Sequence, residues 1–491
     1  MAKKKMTLEE KLEDAIVKDT PYEVPENWIL TKLGYLGKWG SGGTPSRKHP
    51  EYYEGKIPWI KTGELNNNYI YDAEEKITDE AIKKSSAKIF IKGSVLLAMY
   101  GATIGKVAIL GIDATTNQAC AAIECNELLI NNKFMFYYLL SQKDNFIELG
   151  KGGAQPNISQ MIIKEYKCPV PPIKEQQRIV GKIESLFEKL DKAKELIEEA
   201  REDFEKRKSA IMEKAFRGEL TKEWRAENGI KNKSQIIAKI LNDKKNVNIK
   251  DLKDRGDIQL GFPIPEVWEQ CILNDISRVN KDSLVDGPFG SNLKTCDYTE
   301  FGVRLIQLQN IGVGYWKDSN KKFVSEEKAN ELSRCIALPG DIAIAKMAAP
   351  TARATVIPDF EKKYVIVADC IKLSVDYRVS TKYIMHCINS PKINNIAERL
   401  GKGTTRKRIN LGDLRKIPIP LPSLEEQKEI VRIIDNILQE ESRIEELTQL
   451  EDQIELIRKS ILAKAFRGQL GTNCREDESA LELLKEILNK E

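Results

Sequence analysis

The sequence predicts an α+β protein made by tandem duplication: two globular domains, each followed by a long helix, the two helices packing as an antiparallel coiled coil with pseudo-two-fold symmetry. Three observations carry this. Four phrases recur in the same order about 240–250 residues apart. A run of apolar residues in alternating four- and three-residue steps follows each copy of the globular region. Ahead of each run, short β-rich stretches alternate with Gly-, Asn- and Pro-rich loops. With 491 residues the chain also exceeds what one ordinary core holds.

The repeats come first because they set every boundary. Val24-Pro-Glu-Asn-Trp28 matches Ile264-Pro-Glu-Val-Trp268, and Leu149-Gly-Lys-Gly152 matches Leu400-Gly-Lys-Gly403. Pro171-Pro172-Ile-Lys-Glu175-Gln176 returns as Leu421-Pro422-Ser-Leu-Glu-Glu426-Gln427. Lys214-Ala-Phe-Arg-Gly218 returns as Lys464-Ala-Phe-Arg-Gly468. Four matches in one order are not chance.

Each copy ends in a helix of about 40 residues, roughly 60 Å at 1.5 Å per residue. Pro169, Pro171 and Pro172 end extended structure, and Glu175-Gln176 suits the helix start that follows. The first seam runs Ile179, Ile183, Leu186, Leu190, Ala193, Ile197, Ala200, Phe204 and Ile211, with Arg207 its one exception. The second runs Ile430, Ile434, Ile437, Glu441, Ile444, Leu447, Leu450, Ile454, Ile457 and Ile461, with a phase slip between Ile444 and Leu447. Gly218 and Gly468 are natural C-terminal stops.

These signals divide the chain into an N-terminal extension (1–20), a globular domain (21–168), a first long helix (169–220), a linker (221–257), a second domain (258–417), a second long helix (418–470) and a tail helix (471–491). Within the domains, Ser94–Tyr100 and Asp341–Lys346 read as strands, Lys133–Gln142 and Thr381–Asn389 as helices. The linker is rich in Lys, Asn and Asp, with one helix expected at Gln235–Leu241.

Composition removes several function classes. A hydrophobic share of 41% and a charged share of 31% fit a folded, soluble protein. The net charge of +4 neither demands nor excludes nucleic acid, since a basic face can coexist with acidic helices. No apolar run reaches membrane-span length, and the basic start lacks an apolar stretch behind it, so neither a membrane nor secretion is expected. Nine cysteines without a CxxC pair read as free thiols in a reducing cytoplasm. With only His49 and His386 there is little to build a metal site or a triad from, and no metal or cofactor is expected in this chain. Gly101-Ala-Thr-Ile-Gly105-Lys106-Val107 falls one residue short of a phosphate loop and ends in Val where a hydroxyl belongs. The chain reads as a non-enzyme.

Gly42-Gly43-Thr44-Pro45-Ser46 followed by Ile57-Pro-Trp-Ile60, Asp286-Gly-Pro-Phe-Gly-Ser-Asn-Leu-Lys294, and the repeated Lys-Ala-Phe-Arg-Gly together resemble the specificity subunit of type I restriction–modification systems. The resemblance spans roughly residues 21–470. It implies two target-recognition domains, each reading one half of an asymmetric bipartite DNA target, with the helices setting the spacer. It also implies two modification (methyltransferase) subunits as partners, carrying S-adenosylmethionine for adenine methylation. Restriction subunits, where present, would bring ATP and Mg for translocation and cleavage. The alternative is a coiled-coil scaffold that binds no DNA.

Backbone N–H groups of Gly-rich loops, with Lys and Arg beside them, suit phosphates. The candidates are Gly42, Gly43, Thr44, Ser46, Arg47 and Lys48 in the first domain, and Gly290, Ser291, Asn292 and Lys294 in the second. Two further loops precede the helices, with Lys151 and Gln155 in one and Lys402, Thr404, Arg406, Lys407 and Arg408 in the other. For base edges, which need amides or forked cations, the candidates are Lys61 and Glu64, and Gln307, Gln309 and Asn310. Phe216, Arg217, Phe466 and Arg467 are read both as the ends of the helical seam and as a docking surface for the modification subunits.

Overall fold

The structure, a computed structural model, describes residues 7–18, 22–151, 156–249, 256, 258–347, 349–403, 407–474 and 476–490, without the side chains of 440–449 and 490. The phase slip expected between Ile444 and Leu447 therefore lies outside the described side chains. The chain forms two compact units: Met1–Ile197 with Thr448–Glu491, and Glu198–Leu447. Both boundaries fall inside the long helices, which span Ile173–Phe216 and Leu424–Ala465.

In the first unit, strands pair in the order Gly37–Ser41, Cys120–Cys125, Val95–Ala98, Val107–Leu110 and Tyr69–Ile70. A second sheet orders Glu75–Ile77, Ile57–Ile60, Ala114–Thr116 and Ile89–Phe90, with Ile57–Ile60 parallel to Ala114–Thr116. The expected strand at Ser94–Tyr100 is the central Val95–Ala98, buried along its whole length. The helix Asn132–Ser141 starts at an Asn131 cap whose side chain accepts from the N–H groups of Lys133 and Phe134.

The second unit repeats this plan. Its sheets run Leu284–Asp286, Cys370–Leu373, Ile342–Ala345, Ala354–Val356, and Tyr298–Thr299, Phe323–Val324, Val303–Ile306, Tyr364–Ile366, Ile336–Ala337. Val303–Ile306 is again parallel to its neighbour Tyr364–Ile366. Thr381–Asn389 is a helix capped by Ser380.

The repeated phrases meet in one joint per unit. In the first, the Trp28 indole donates to Glu175 (2.8 Å) and Gln176 accepts the Asn131 N–H (2.8 Å). Pro25 lies where a Cβ on Gly468 would stand, 2.5 Å away. In the second, Trp268 donates to Glu426 (3.0 Å) and Gln427 accepts the Ser380 N–H (2.8 Å), while Pro265 backs Gly218. The closing Lys-Ala-Phe-Arg-Gly thus comes from the other copy each time. In the first unit the two long helices meet where Arg458 pairs with Asp191 and lies 4.7 Å from the centre of the Phe187 ring, while Arg178, near the start of the first, bonds Asp477 beyond the end of the second.

Both long helices end the same way. Gly218 (φ +74°) and Gly468 (φ +69°) take the left-handed conformation, and Glu219 and Gln469 donate back to the carbonyls of Lys214 and Lys464. Gly218→Ala therefore meets both a left-handed backbone and a blocked Cβ, whereas Gly229 (φ +63°) has open space around it. Gly229→Ala should cost about 1–2 kcal/mol for the backbone alone, and Gly218→Ala a further 1–3 kcal/mol or so for overpacking. Denaturant unfolding of the two variants checks it; equal losses would show that the Pro265 contact yields freely.

Three expectations need correction. The linker, expected to hold one helix at Gln235–Leu241, holds two among its described residues, Lys222–Glu227 and Ile236–Asn246, and Ile237 and Ile240 of the second join the core of the second unit. Their apolar spacing at three residues buries one face, and Lys244 follows it inward to bond the carbonyls of Asn274 and Asp275. On the second seam, Leu450 and Ile457 are 41% and 44% exposed, while Ile454 and Leu462 are buried. A helix of 3.6 residues per turn drifts off a strict 3.5-residue stripe. Phe216 and Phe466 are 2% exposed; Phe216 packs at a tilt against Tyr383, and Phe466 edge-on against Phe134 and Tyr138. They form core and offer no docking surface.

Candidate nucleic-acid interface

One turn organises the candidate surface in each domain. It spans Asn117–Cys120 in the first and Val367–Cys370 in the second, closed by Cys120 N–H to Asn117 (3.1 Å) and Cys370 N–H to Val367 (2.9 Å). Three segments hang from it in the same way. The Gly loop is held by Gly42 N–H to Cys120, or Gly287 N–H to Cys370. The parallel strand end is held by Asn117 N–H to Ile60, or Val367 N–H to Ile306. The third segment is held by Met99 N–H to Ala119, or Lys346 N–H to Asp369, and in turn binds the loop ahead of the long helix through Ile158 or Ile409. Gly42 and Gly287, in phrases that read as unrelated, are therefore one position. A Cβ at either would stand 2.1 Å from the Thr116 carbonyl or 1.9 Å from that of Val367, so glycine is required by packing.

In the first domain this brings Arg47 and Lys61 to one carboxylate pair. Arg47 meets Glu75 at 2.7 Å, and Lys61 meets Glu74 at 2.9 Å and Glu75 at 3.2 Å. The Arg47 guanidinium beside Glu75 holds that carboxyl below its usual range, and the hydrogen bond to Glu74 pushes the Lys61 ammonium up. Thr44, Ser46 and Lys48 are exposed on the same loop. Lys151 is exposed and pairs with Glu148 (2.5 Å). Tyr100, on the third segment, is 44% exposed.

In the second domain Gly290, Ser291, Asn292 and Lys294 are exposed, on a loop tightened by Asn292 N–H to Phe289 (2.8 Å). Gln309 is exposed and donates to the half-buried Gln307 (3.3 Å). Lys402 and Arg408 pair through both backbone groups, and Arg408 reaches Asp369 of the central turn at 3.0 Å. Lys407 stands 3.8 Å from Glu398.

Several expected contacts are already committed elsewhere. Gly42 and Gly43 are buried, and their N–H groups serve Cys120 and Thr116, so neither is free for phosphate. Asn310 is fully buried: it accepts from Gln307 N–H and donates to the carbonyls of Lys317 and Ser319. Glu64 likewise accepts from the N–H groups of Lys61 and Glu74. These two residues shape matching turns, Thr62–Glu64 and Leu308–Asn310. Of the supposed docking pair, Arg217 binds Glu213 (2.5 Å) and Arg467 stacks over Tyr22 (5.2 Å). Gln155, Thr404 and Arg406 lie outside the described residues. Sequence reasoning missed Glu75, Tyr53 and the central turn; Trp59 stood in a quoted phrase, but nothing local ties it to Arg47.

Two domains that share a backbone cradle and differ in the polar side chains it presents define a duplicated recognition protein. The chain belongs to the type I restriction modification DNA specificity domain family, which matches residues 25–202 and 309–456, more than half of its length. It is accordingly a non-catalytic specificity subunit with two target-recognition domains. The Escherichia coli type I restriction enzyme EcoBI specificity subunit is 27% identical over 367 residues, covering 74% of this chain and 71% of that one. The Methanocaldococcus jannaschii MjaVIII specificity subunit is 24% identical over 457 residues, 91% of this chain and 94% of that one. In fold, the HsdS subunit from Thermoanaerobacter tengcongensis matches with a TM-score of 0.56 at 18% identity, covering 92% of this chain and all of that one. A chain from a study of complex assembly and conformational transition of the type I R-M system matches at 0.64 and 19% identity, with the same coverage. Among the described residues no cluster could hold a metal ion, and no helix is long and apolar enough to cross a membrane.

Proposed function

We propose that the domains at 21–168 and 258–417 each read one half of an asymmetric bipartite target on double-stranded DNA, and that the helices at 169–220 and 418–470 set the spacer. The observation that carries this is the cradle itself: identical backbone bonds in both domains, with Arg47 and Lys61 on one and Gln307, Gln309 and Asn292 on the other. An unchanged frame with exchanged donors is what reading two different sequences requires. Thr44, Ser46, Lys48, Lys151, Gly290, Ser291, Lys294, Lys402, Lys407 and Arg408 serve the phosphates. The chain works in the cytoplasm with two modification subunits that hold S-adenosylmethionine, and with restriction subunits using ATP and Mg where a host has them.

Methylome sequencing of a host that carries the modification subunits, with and without this chain, tests the reading. Adenine methylation at a two-part motif is expected only with the chain. Binding of the assembled complex should also weaken with salt, by about 0.9 log units per log unit of salt for each phosphate contact. A flat salt response and an unchanged methylome would sink it.

A further inference from the structure

Arg47 is held differently from a phosphate-binding arginine. Its guanidinium lies 4.0 Å from the centre of the Tyr53 ring and 5.3 Å from that of Trp59, while Glu75 takes one terminal nitrogen at 2.7 Å. Both rings are tied to the loop that carries Arg47: the Tyr53 hydroxyl donates to Pro45 (2.6 Å) and the Trp59 indole to Gly43 (2.9 Å). The side chain nevertheless stays 57% exposed. A phosphate contact draws its affinity from net positive charge, which a carboxylate at this distance offsets. A base edge asks for a fork held in place, which the Tyr53 and Trp59 rings and the Glu75 carboxylate beside it supply. Glu75 engages NH1 and leaves the other N–H donors of the fork to pair with two acceptors side by side. In the major groove that pattern is O6 and N7 of guanine.

We infer that Arg47 reads a guanine of the first half-site and that Glu75 is its positioning residue. This rests on the proposed DNA-reading role of the chain. Lys61, shared with the same carboxylate, keeps Glu75 in place.

The test uses the chain assembled with its modification subunits and duplexes carrying its methylome-defined target. Each guanine of both half-sites, on either strand, is replaced singly by 7-deazaguanine, which lacks N7, or by inosine, which keeps both major-groove acceptors. With the natural chain, one first-half guanine should lose affinity on 7-deaza replacement, by roughly five- to a hundred-fold for a bidentate contact, and be indifferent to inosine. Arg47→Lys should bind the normal target as weakly as that and keep the natural salt slope, and Arg47→Ala should show no further loss on 7-deaza replacement. Glu75→Gln should fall between. Unchanged second-half penalties in all three variants show that they are folded. Full rescue by Lys, with the salt slope falling by about one phosphate contact in Arg47→Ala, would make Arg47 a phosphate ligand and overturn the inference. So would a first half-site without guanine on either strand, or a 7-deaza penalty that persists in Arg47→Ala. If no base replacement in either half changes binding, the DNA-reading role itself fails.

Discussion

Arg225→Ala is expected to destabilise the second unit by about 3–5 kcal/mol, the cost of stranding one partner of a buried ion pair. Glu426 is fully buried, and its carboxylate takes the Thr221 hydroxyl (2.6 Å), the Trp268 indole (3.0 Å) and the Arg225 guanidinium. Arg225, 12% exposed, is the positive charge among these partners, and it also donates to the Gly218 carbonyl at the helix end (2.6 Å). Removing it leaves a charge that two neutral donors stabilise only in part. The first unit shows the contrast. Glu175, equally buried, takes Trp28 (2.8 Å), Asn473 (2.9 Å) and Thr472 (3.3 Å), all neutral. Deleting Asn473 there should cost about 1.5–3 kcal/mol, as for a hydrogen bond to a charged group. Calorimetry of the full chain reads both. The Arg225→Ala transition should fall by roughly 10 °C, at about 2–4 °C per kcal/mol for a unit of this size. Adding Glu426→Gln should recover part of the loss, because an amide needs no counter-charge. A loss below about 0.5 kcal/mol, the size of an ordinary surface change, would show that water reaches Glu426.

Exchanging residues 21–168 for another family member's first domain should replace one half of the methylated motif and leave the other half unaltered. Every donor assigned to the first cradle, from Thr44 to Lys151, lies inside the exchanged segment. The second cradle draws only on residues after 284. The exchange has one structural condition. Trp28 and Pro25 close the joint with Glu175 and Gly468, which stay behind, so the incoming domain must bring a Pro-Glu-x-Trp entry. Methylome sequencing of the exchanged variant decides the matter. Alteration of both halves, in a variant that still methylates, would contradict domains that read independently.

The duplication, the two long helices and their glycine stops, the central strands at 95–98 and 342–345, and the α+β class were all legible in the order of the residues. Each of these is written in consecutive residues: a period of 3.5, an alternation of two, a proline or glycine at an end. The family resemblance was legible for the same reason, since its phrases are short and contiguous. The site was only half legible. Arg47, Lys61 and Gln309 carry chemistry that composition reveals, and the structure places them on the cradle. Glu64, Asn310, Gly42 and Gly43 carry the same chemistry, but tertiary hydrogen bonds consume it. No local pattern distinguishes an amide that faces solvent from one whose donors end on Lys317 and Ser319. Tertiary structure alone decided that the end of each copy closes the other copy's joint, that Gly42 and Gly287 are one position, and that Glu75 stands beside Arg47. The partners in those contacts are separated by up to 443 residues along the chain, from Pro25 to Gly468. Which distant donor meets a buried carboxylate is set by packing, where a group left unpaired costs more than its bond contributes.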